Sequence, residues 1–265
     1  MSDGLTAGAL AFFPIVGLPE VLPGADLIAI VDRALGAESN PQLQDGDVIV
    51  VAQKIVSKAE DRYVDLASIE PSKAAHEIAQ RCLKDPRLVE LVLRESTEVV
   101  RVAPNVLIVR HRLGFVVANA AIDQSNLPQS NDERGDRALL LPANPDASAQ
   151  ALREGLERRY GRKLAVLISD SFGRPWRMGV CGVCVGCSGL NPLIDLRGTL
   201  DRSSRPLQVT QIAVADQLCA TATLVCGEGA EGRPIVVVRG VSPAYFASGH
   251  GADDLIRPLA QDLFR

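Results

Sequence analysis

The chain has 265 residues, of which 47% are hydrophobic and 23% are charged, and its formal net charge is −4. This size and composition predict a globular protein with a substantial core. The acidic balance argues against a nucleic-acid-binding protein, which would usually be basic. The first residues lack the positive segment of a signal peptide, and no apolar run approaches the roughly 20 residues of a membrane span. We therefore predict a soluble cytoplasmic protein.

Apolar periodicity predicts the secondary structure in chain order. The predicted strands are 10–16, 47–52, 99–102, 106–110, 115–118, 164–169 and 234–239, and the predicted helices are 25–35, 71–83, 87–94, 146–160, 208–225 and 253–264. The helix over 208–225 is predicted to be the longest. The three short strands between 99 and 118 predict a local antiparallel meander. Strands and helices do not alternate strictly, so the predicted fold class is α+β (mixed α/β).

The most polar stretch is 129–137, which is rich in Asn, Asp, Glu, Arg and Gly. Such a composition is typical of an exposed loop. The wider region 129–145 is the best candidate for a junction between two lobes.

Three segments place a carboxylate just after an apolar run or beside glycine: they contain Asp123, Asp170 and Glu228. If the fold gathers these carboxylates, they would form a hard-oxygen site for Mg²⁺ or Mn²⁺, which usually carries nucleotide phosphates. Taken singly, each has a plainer interpretation as a turn, a cap or a salt-bridge partner. Spacing alone favours the turn at Asp123 and leaves the two interpretations of Asp170 equally supported.

Basic and glycine-rich segments offer further anion contacts. Lys54 and Lys58 follow the predicted strand 47–52 and would meet phosphates as mobile point charges, although lysines there are more often a solvated face. Three glycines within 227–232 would let backbone N–H groups approach an anion, or would simply form a C-cap and turn. The chain contains no G-x-x-x-x-G-K-[ST] phosphate-binding loop.

Cys181, Cys184 and Cys187 form a C-x-x-C-x-x-C run. That spacing is typical of a zinc site or an iron–sulfur cluster. The run is also interleaved with glycine and valine, as in a tightly packed buried strand, and a free cysteine behaves as a small hydrophobe. We favour packing and keep a cysteine-ligated metal or redox protein as the alternative.

Taken together, these runs resemble the coenzyme F420-0:L-glutamate ligase (coenzyme F420:gamma-L-glutamate ligase) family over residues 10–260. The resemblance rests on Asp45-Gly-Asp-Val-Ile-Val-Val, Ser57-Lys-Ala-Glu60, Ala118-Asn-Ala-Ala-Ile-Asp-Gln-Ser-Asn126, Ser169-Asp-Ser-Phe-Gly-Arg-Pro-Trp-Arg177, Asp195-Leu-Arg-Gly198 and Leu224-Val-Cys-Gly-Glu228. These motifs occur in the family's order, which makes the match far more specific than any single short pattern.

The resemblance implies a GTP-dependent acid–amino-acid ligase. Such an enzyme adds L-glutamate through gamma-glutamyl amide bonds to the deazaflavin coenzyme F420 precursor, first F420-0 and then F420-1. It also implies a requirement for Mg²⁺ or Mn²⁺, assistance by K⁺, and a two-lobed fold that forms an intertwined homodimer. An acyl phosphate would be the activated intermediate. No nucleic-acid or membrane partner is expected.

The resemblance also implies roles for individual residues. Asp123 and Asp170 would be catalytic as metal ligands, and the complete ligand set would be Asp123, Asp170, Ser171 and Glu228. The nucleotide would contact Leu18, Pro19, Glu20, Val21, Gln53, Lys54, Lys58, Asn126, Cys226, Gly227, Glu228, Gly229, Ala230, Glu231, Gly232 and Arg233. Arg174 and Arg177 would hold the phosphodiester or carboxylates of the acceptor.

Some positions depart from the family pattern. The family usually carries glycine where this chain has Ala121, threonine where it has Ser171, and small apolar residues where the three cysteines stand. The last departure supports packing as the role of the cysteines. The segment 202–205 reads Arg-Ser-Ser-Arg where the family commonly has a Gly-Arg pair, which leaves the acceptor's identity and the number of glutamates open.

Overall fold

The computed structural model describes residues 8–125 and 137–262. Asn126 and nearly all of the predicted loop at 129–137 lie outside these residues. The strands are β1 (Ala11–Pro14), β2 (Asp47–Ala52), β3 (Tyr63–Asp65), β4 (Ser96–Ala103), β5 (Val106–His111), β6 (Val116–Ala118), β7 (Arg137–Leu139), β8 (Leu164–Arg174), β9 (Arg177–Ser188), β10 (Leu193–Asp195), β11 (Gln211–Ala213) and β12 (Ile235–Arg239). The α-helices are α1 (Leu27–Leu35), α2 (Gln53–Ala59), α3 (Lys73–Cys82), α4 (Pro86–Arg94), α5 (Pro145–Tyr160) and α6 (Val214–Cys226). This mixture of helices and mixed sheets agrees with the predicted α+β class.

A five-stranded sheet in the order β1-β12-β2-β8-β9 forms the centre of the fold. β2 and β8 pair in parallel, whereas the other neighbours are antiparallel. A buried ion pair fixes the end of the β12–β2 ladder, because Arg239 donates to both carboxylate oxygens of Asp47 at 2.9 Å. The parallel pair brings the carboxyl ends of β2 and β8 to the same edge of the sheet.

Helices cover both faces of the central sheet. On one face α1 and α5 pack against alternate strand residues such as Ile49 and Val166. On the other face α6 packs against the intervening residues, including Val50 and Leu167. Strands buried on both faces read as continuous apolar runs, which is the pattern of Asp47–Ala52 and the first half of β8.

The cysteine run lies in β9, as the packing interpretation predicted. Cys184 and Cys187 are 1% exposed and belong to the core between the sheet and α6. A Cβ added at Gly182 would lie 2.2 Å from Thr223 Oγ1, and one at Gly186 would lie 2.5 Å from the carbonyl oxygen of Pro145. The glycines therefore let α6 and the start of α5 approach the strand closely.

A third core cluster lies beside the central sheet. It unites α3 and α4 with the antiparallel sheet β4-β5-β6, which confirms the predicted meander. Glu95, at the end of α4, accepts a hydrogen bond from Arg112 and lies 3.5 Å from Nε2 of buried His111. Although burial opposes ionisation, these two contacts lower the pKa of Glu95 to about 2, with the His111 contact the larger influence. This ionised contact ties the meander, which leads into Asp123, to the end of α4.

Several predicted boundaries are wrong. The helix predicted over 208–225 is the short strand β11 followed by α6, since Ile212 and its neighbours pair with β10. The longest helix in the described residues is α5, with 16 residues against 13 for α6. The closing helix predicted over 253–264 is replaced by two short 3₁₀ turns, Ala252–Leu255 and Leu259–Gln261, because Pro258 cannot continue a helix. No helix in the described residues has the length and apolarity to cross a bilayer.

Candidate active site

A cavity of about 740 Å³ opens at the edge of the sheet where β2 and β8 end their parallel pairing. Its lining comes from four parts of the chain, at 50–55, 117–125, 169–173 with Val180, and 222–234. The topology explains this convergence. Parallel neighbours end at one edge, and β12, antiparallel to β2, begins at that edge. The three carboxylate-bearing segments of the sequence therefore line one cavity. Their spacing along the chain does not by itself predict this convergence.

A pair of backbone hydrogen bonds with Leu139 in β7 holds Asp123 at the cavity. Its Oδ2 lies 2.7 Å from Lys54 Nζ, and its Oδ1 accepts from both the N–H and the hydroxyl of Ser125 at 2.7 Å. Burial raises the pKa of Asp123, but these contacts from Lys54 and Ser125 outweigh it, so the pKa lies below its ordinary value. Asp123 is thus an ionised carboxylate inside the turn that the sequence favoured.

The chain reaches Asp123 through an unusual backbone arch. Asn119, Ala120 and Ala121 have φ values of 51°, 53° and 54°. Three consecutive non-glycine residues in the left-handed region are unfavourable, since each Cβ crowds a carbonyl oxygen. Strain of this kind persists where the surrounding structure holds it, and it often marks functional sites. The arch directs Asp123 towards Lys54.

Asp170 also lines the cavity. The prediction that it follows the end of a strand is only half correct, because β8 continues to Arg174 and Asp170 pairs with Val183 in β9. The parallel pairing with β2 does end one residue earlier, at Ser169. Burial, and then the negative charges of Asp123 and Glu228, raise the pKa of Asp170 to about 6. The positive charge near this carboxyl group is therefore too small to offset its burial and the neighbouring negative charges.

Glu228 and Ser171 meet across the cavity. The Ser171 hydroxyl donates to Glu228 Oε1 at 2.6 Å. Glu228 belongs to the loop that follows α6, where Gly227 has φ +79° and a Cβ would lie 2.2 Å from Glu231 Cδ. Glycine is thus favoured at Gly227 for its backbone conformation, whereas the Glu231 side chain is flexible and could move away from a Cβ. The loop presents Glu228 to the cavity and leaves Gly229 N–H bonded to Glu231.

Arg233 supplies positive charge where this loop returns to the sheet. Its Nε is buried and has no hydrogen-bond partner in the part of the chain that the structure describes, although the residue lines the cavity. A buried guanidinium nitrogen without an acceptor is costly, so an anionic ligand in the cavity would satisfy it. Its charge also acts on neighbouring Cys226, but burial dominates there and raises the pKa of that thiol to about 11. Cys226 therefore stays a neutral thiol.

Other predicted site residues lie away from this lining. Lys58 is buried and pairs with Glu20 at 3.6 Å, and neither residue lines the cavity. Leu18, Pro19, Val21 and Ala230 are also absent from the lining, whereas Gln53, Gly229 and Gly232 belong to it. The exposed side chains of Arg174 and Arg177 lie at the turn between β8 and β9, beyond the lining. Asn126 lies outside the described residues.

The donor chemistry of the cavity fits a hard divalent cation. Asp123, Asp170 and Glu228 give three carboxylates against the nearby charges of Lys54 and Arg233, and Ser171 adds a hydroxyl oxygen. They do not form a closed cage: within residues 8–125 and 137–262 no three His, Cys, Asp or Glu side chains stand at metal-ligating separation. Asp123 is held by Lys54, and Glu228 by Ser171. A cation would replace these two contacts.

Ser125, Thr223 and Ser169 line the cavity but were not predicted as site residues. Ser125 had a usable signal, because a serine two residues after an aspartate commonly bonds that carboxylate in a turn. Thr223 had none. It reaches the cavity only because Gly182 lets α6 approach β9.

Comparison with known proteins identifies the family of this chain. A sequence model of the family described as F420-0:Gamma-glutamyl ligase matches residues 16–240. The coenzyme F420:L-glutamate ligase of Methanothermobacter thermautotrophicus is 43% identical over 256 residues, covering 97% of this chain and 99% of that protein. The enzyme of the same name from Methanopyrus kandleri is 42% identical over 248 residues, covering 93% and 94%. The chain belongs to the F420-0:gamma-glutamyl ligase family.

Proposed function

We propose that this protein is a GTP-dependent ligase that adds L-glutamate to F420-0, and then to F420-1, through gamma-glutamyl amide bonds. Its relatives carry the name coenzyme F420:L-glutamate ligase. One observation carries the proposal for this chain: the three family segments around Asp123, Asp170 and Glu228 converge on one cavity that combines carboxylates with Lys54 and Arg233. Such a mixture suits a triphosphate bound together with a cation.

The proposed chemistry proceeds through an acyl phosphate, because amide formation from a carboxylate is unfavourable in water. A carboxylate oxygen of the acceptor attacks the gamma-phosphorus of GTP, and GDP leaves. The amine nitrogen of glutamate then attacks the acyl carbon, inorganic phosphate leaves, and the amine loses a proton. The protein contributes chiefly position and charge, as in other phosphoryl transfers.

The residues divide between these tasks. Arg233 and Lys54 neutralise phosphate oxygens, and Gly229 and Gly232 allow the backbone to approach the nucleotide. Asp123, Asp170, Glu228 and the Ser171 hydroxyl would hold Mg²⁺ or Mn²⁺. The cation would supply charge stabilisation at the phosphate oxygens. We retain Lys58 and 18–21 as nucleotide contacts and K⁺ as an assisting ion, on the family resemblance alone.

We also infer the family's two-lobed, intertwined homodimer. Support comes from the β8–β9 hairpin, which extends beyond the central sheet and carries exposed Met178 and Val180, 97% and 53% accessible. An exposed apolar hairpin tip suits burial against a second copy. Residues 129–136 of the predicted lobe junction at 129–145 lie outside the described residues, and the junction stays a prediction.

The proposal is tested by incubating the purified protein with GTP, Mn²⁺, L-glutamate and F420-0 and analysing the products by mass spectrometry. We expect F420-1 and then F420-2, with one GDP and one phosphate released for each glutamate. ATP in place of GTP and D-glutamate in place of L-glutamate serve as controls. Absence of any glutamylated product under these conditions contradicts the proposed function.

The alternative of a cysteine-ligated metal or redox protein has little support. Cys184 and Cys187 are buried in an apolar core. Hydrogen bonding with the thiols of Cys187 and Cys219, and then burial, raise the pKa of Cys184 well above its ordinary value. A thiol held neutral is a poor metal ligand, since metals bind the thiolate. Metal analysis of the purified protein, finding no iron, zinc or sulfide in stoichiometric amount, checks this conclusion.

A further inference from the structure

Lys54 holds the carboxylate that we assign to the metal. Its Nζ lies 2.7 Å from Asp123 Oδ2 and 3.1 Å from Ser125 Oγ, and it donates to the Ser125 carbonyl oxygen at 3.3 Å. Both partners are on the turn that follows the strained arch, whereas Lys54 belongs to the first turn of α2. The contact therefore spans two separate elements at the cavity wall.

A divalent cation on Asp123 would compete with this contact. The ammonium and the cation would bear like charges at contact distance from the same carboxylate, in a partly buried site where repulsion is poorly screened. The side chains of Lys54 and Asp123 are only 28% and 20% exposed. Binding of either positive charge at Asp123 therefore weakens the binding of the other.

Lys54 is built to be the charge that moves. A lysine ammonium is a point charge on a flexible four-carbon stem, and no fork geometry holds it in place. Its other partners, the hydroxyl and carbonyl oxygen of Ser125, are exposed and can be satisfied by water. Lys54 lines the same cavity as Arg233, so phosphate oxygens bound there lie within the volume that its side chain can reach.

We propose that Lys54 is an exchangeable cation that couples metal binding to nucleotide binding. It neutralises Asp123 until the divalent cation binds, and its ammonium then transfers to the phosphates of the nucleotide. This inference rests on the proposed function, from which it takes the metal and the triphosphate. By linkage, the metal and the nucleotide each raise the protein's affinity for the other. The metal releases Lys54 as a partner for the phosphates, and the nucleotide removes Lys54 as a competitor at Asp123.

The substitution Lys54→Gln tests the exchange through two affinities that move in opposite directions. Without nucleotide, Mn²⁺ binding measured by electron paramagnetic resonance of the free ion should tighten by about 5-fold or more, since the competing charge is gone. In saturating Mn²⁺, GTP binding measured by calorimetry should weaken by roughly 10-fold or more, since a phosphate partner is gone. A purely structural role for Lys54 would weaken both.

The mirror variant is Asp123→Asn, which removes the carboxylate and frees Lys54. It should lose Mn²⁺ binding yet bind metal-free GTP more tightly than the wild type. Lys73→Gln is the matched control, because Lys73 is a fully exposed helix lysine that pairs with Glu77. Both affinities should be unchanged in that variant.

The possible failures are distinguishable. If the wild type binds Mn²⁺ but Lys54→Gln binds it equally or more weakly, the exchange is overturned and the proposed ligase function stands. If Asp123→Asn leaves metal-free GTP binding unchanged or weaker, Lys54 does not transfer to the phosphates and the proposal also fails. If the wild type binds no Mn²⁺, both the metal site and the exchange are wrong.

Discussion

The cavity and the strand β9 both concentrate side chains that can ligate metals, yet the fold treats them in opposite ways. In β9 the thiols of Cys184 and Cys187 face an apolar core, and their Sγ atoms contact the backbone carbonyls of Gly186 and Leu190. In the cavity the carboxylates of Asp123, Asp170 and Glu228 face open volume among charged neighbours.

The difference shows that surroundings decide whether a potential ligand is one. A thiol loses little when it is buried neutral, so it can fill space as a small hydrophobe. An ionised carboxylate loses much hydration free energy when it is buried, so a partly buried cluster of carboxylates needs a cation. Asp170, with its pKa raised to about 6, is the carboxyl group in which this shortage of positive charge is greatest.

Asp170→Asn should produce the largest effect, because it removes an anionic ligand while keeping size. We expect glutamate addition to fall by about 10³-fold or more, since a catalytic metal supplies several kcal/mol of charge stabilisation. The assay is initial-rate formation of F420-1 at ordinary Mg²⁺ concentration. Near-normal turnover would remove Asp170 from the metal site.

The same variant should be more stable than the wild type when a chelator is present. A carboxyl group whose pKa is raised in the folded state destabilises folding above its unfolded pKa, and the loss develops as pH rises from about 4 to about 6. At pH 7 the full penalty applies, up to about 3 kcal/mol. Chemical denaturation at pH 4 and pH 7 checks this, because only the wild type should lose stability between the two values through this group.

Arg233→Ala should have the next largest effect, on nucleotide affinity. Its buried Nε has no hydrogen-bond partner among residues 8–125 and 137–262, so we assign it a phosphate oxygen as acceptor. Loss of a charge-assisted hydrogen bond costs about 1.5–3 kcal/mol, or roughly 10- to 150-fold in GTP affinity. Calorimetry measures this, with Arg158→Ala on the exposed face of α5 as control. An equal loss in both variants would indicate a general charge effect.

Replacing Cys181, Cys184 and Cys187 together by alanine tests the other half of the comparison. Since two of the thiols are buried, we expect a stability loss of roughly 1 kcal/mol for each of those two, with metal content and ligase activity largely retained. Denaturant unfolding and elemental analysis provide the measurements. An iron–sulfur absorption band in anaerobically purified protein, absent from the triple variant, would contradict the packing role.

Local sequence patterns predicted the central strands and most of the helices. Asp47–Ala52 has a continuous apolar pattern because the strand is buried. Helix α5 begins after Asn144, which caps its first turn, and ends at Gly161, which adopts φ +62°. The patterns failed at 208–225, where pairing of β11 with β10 decides the structure. Long-range pairing overrides a local helical pattern.

The site followed the same division. The three carboxylate-bearing segments stood out in the sequence, but their convergence depends on the parallel pairing of β2 with β8, which no local pattern encodes. The Lys54–Asp123 contact joins residues far apart in the chain, and the lysine alone looked like a solvated face. The left-handed arch before Asp123 was also invisible, since alanine does not signal a positive φ.

The smallest expected effect concerns that arch. Ala121 has φ +54°, a conformation that glycine adopts without a steric penalty. Ala121→Gly should therefore leave the free energy of unfolding unchanged or raise it by at most about 0.5–1 kcal/mol. Ala118, just before the arch, has φ −70°, and Ala118→Gly should instead destabilise by a similar amount because it only adds freedom to the unfolded chain. Urea unfolding of both variants resolves the sign. Destabilisation of equal size at the two positions would show that Ala121 is not strained, and the cavity edge would then be as relaxed as β9.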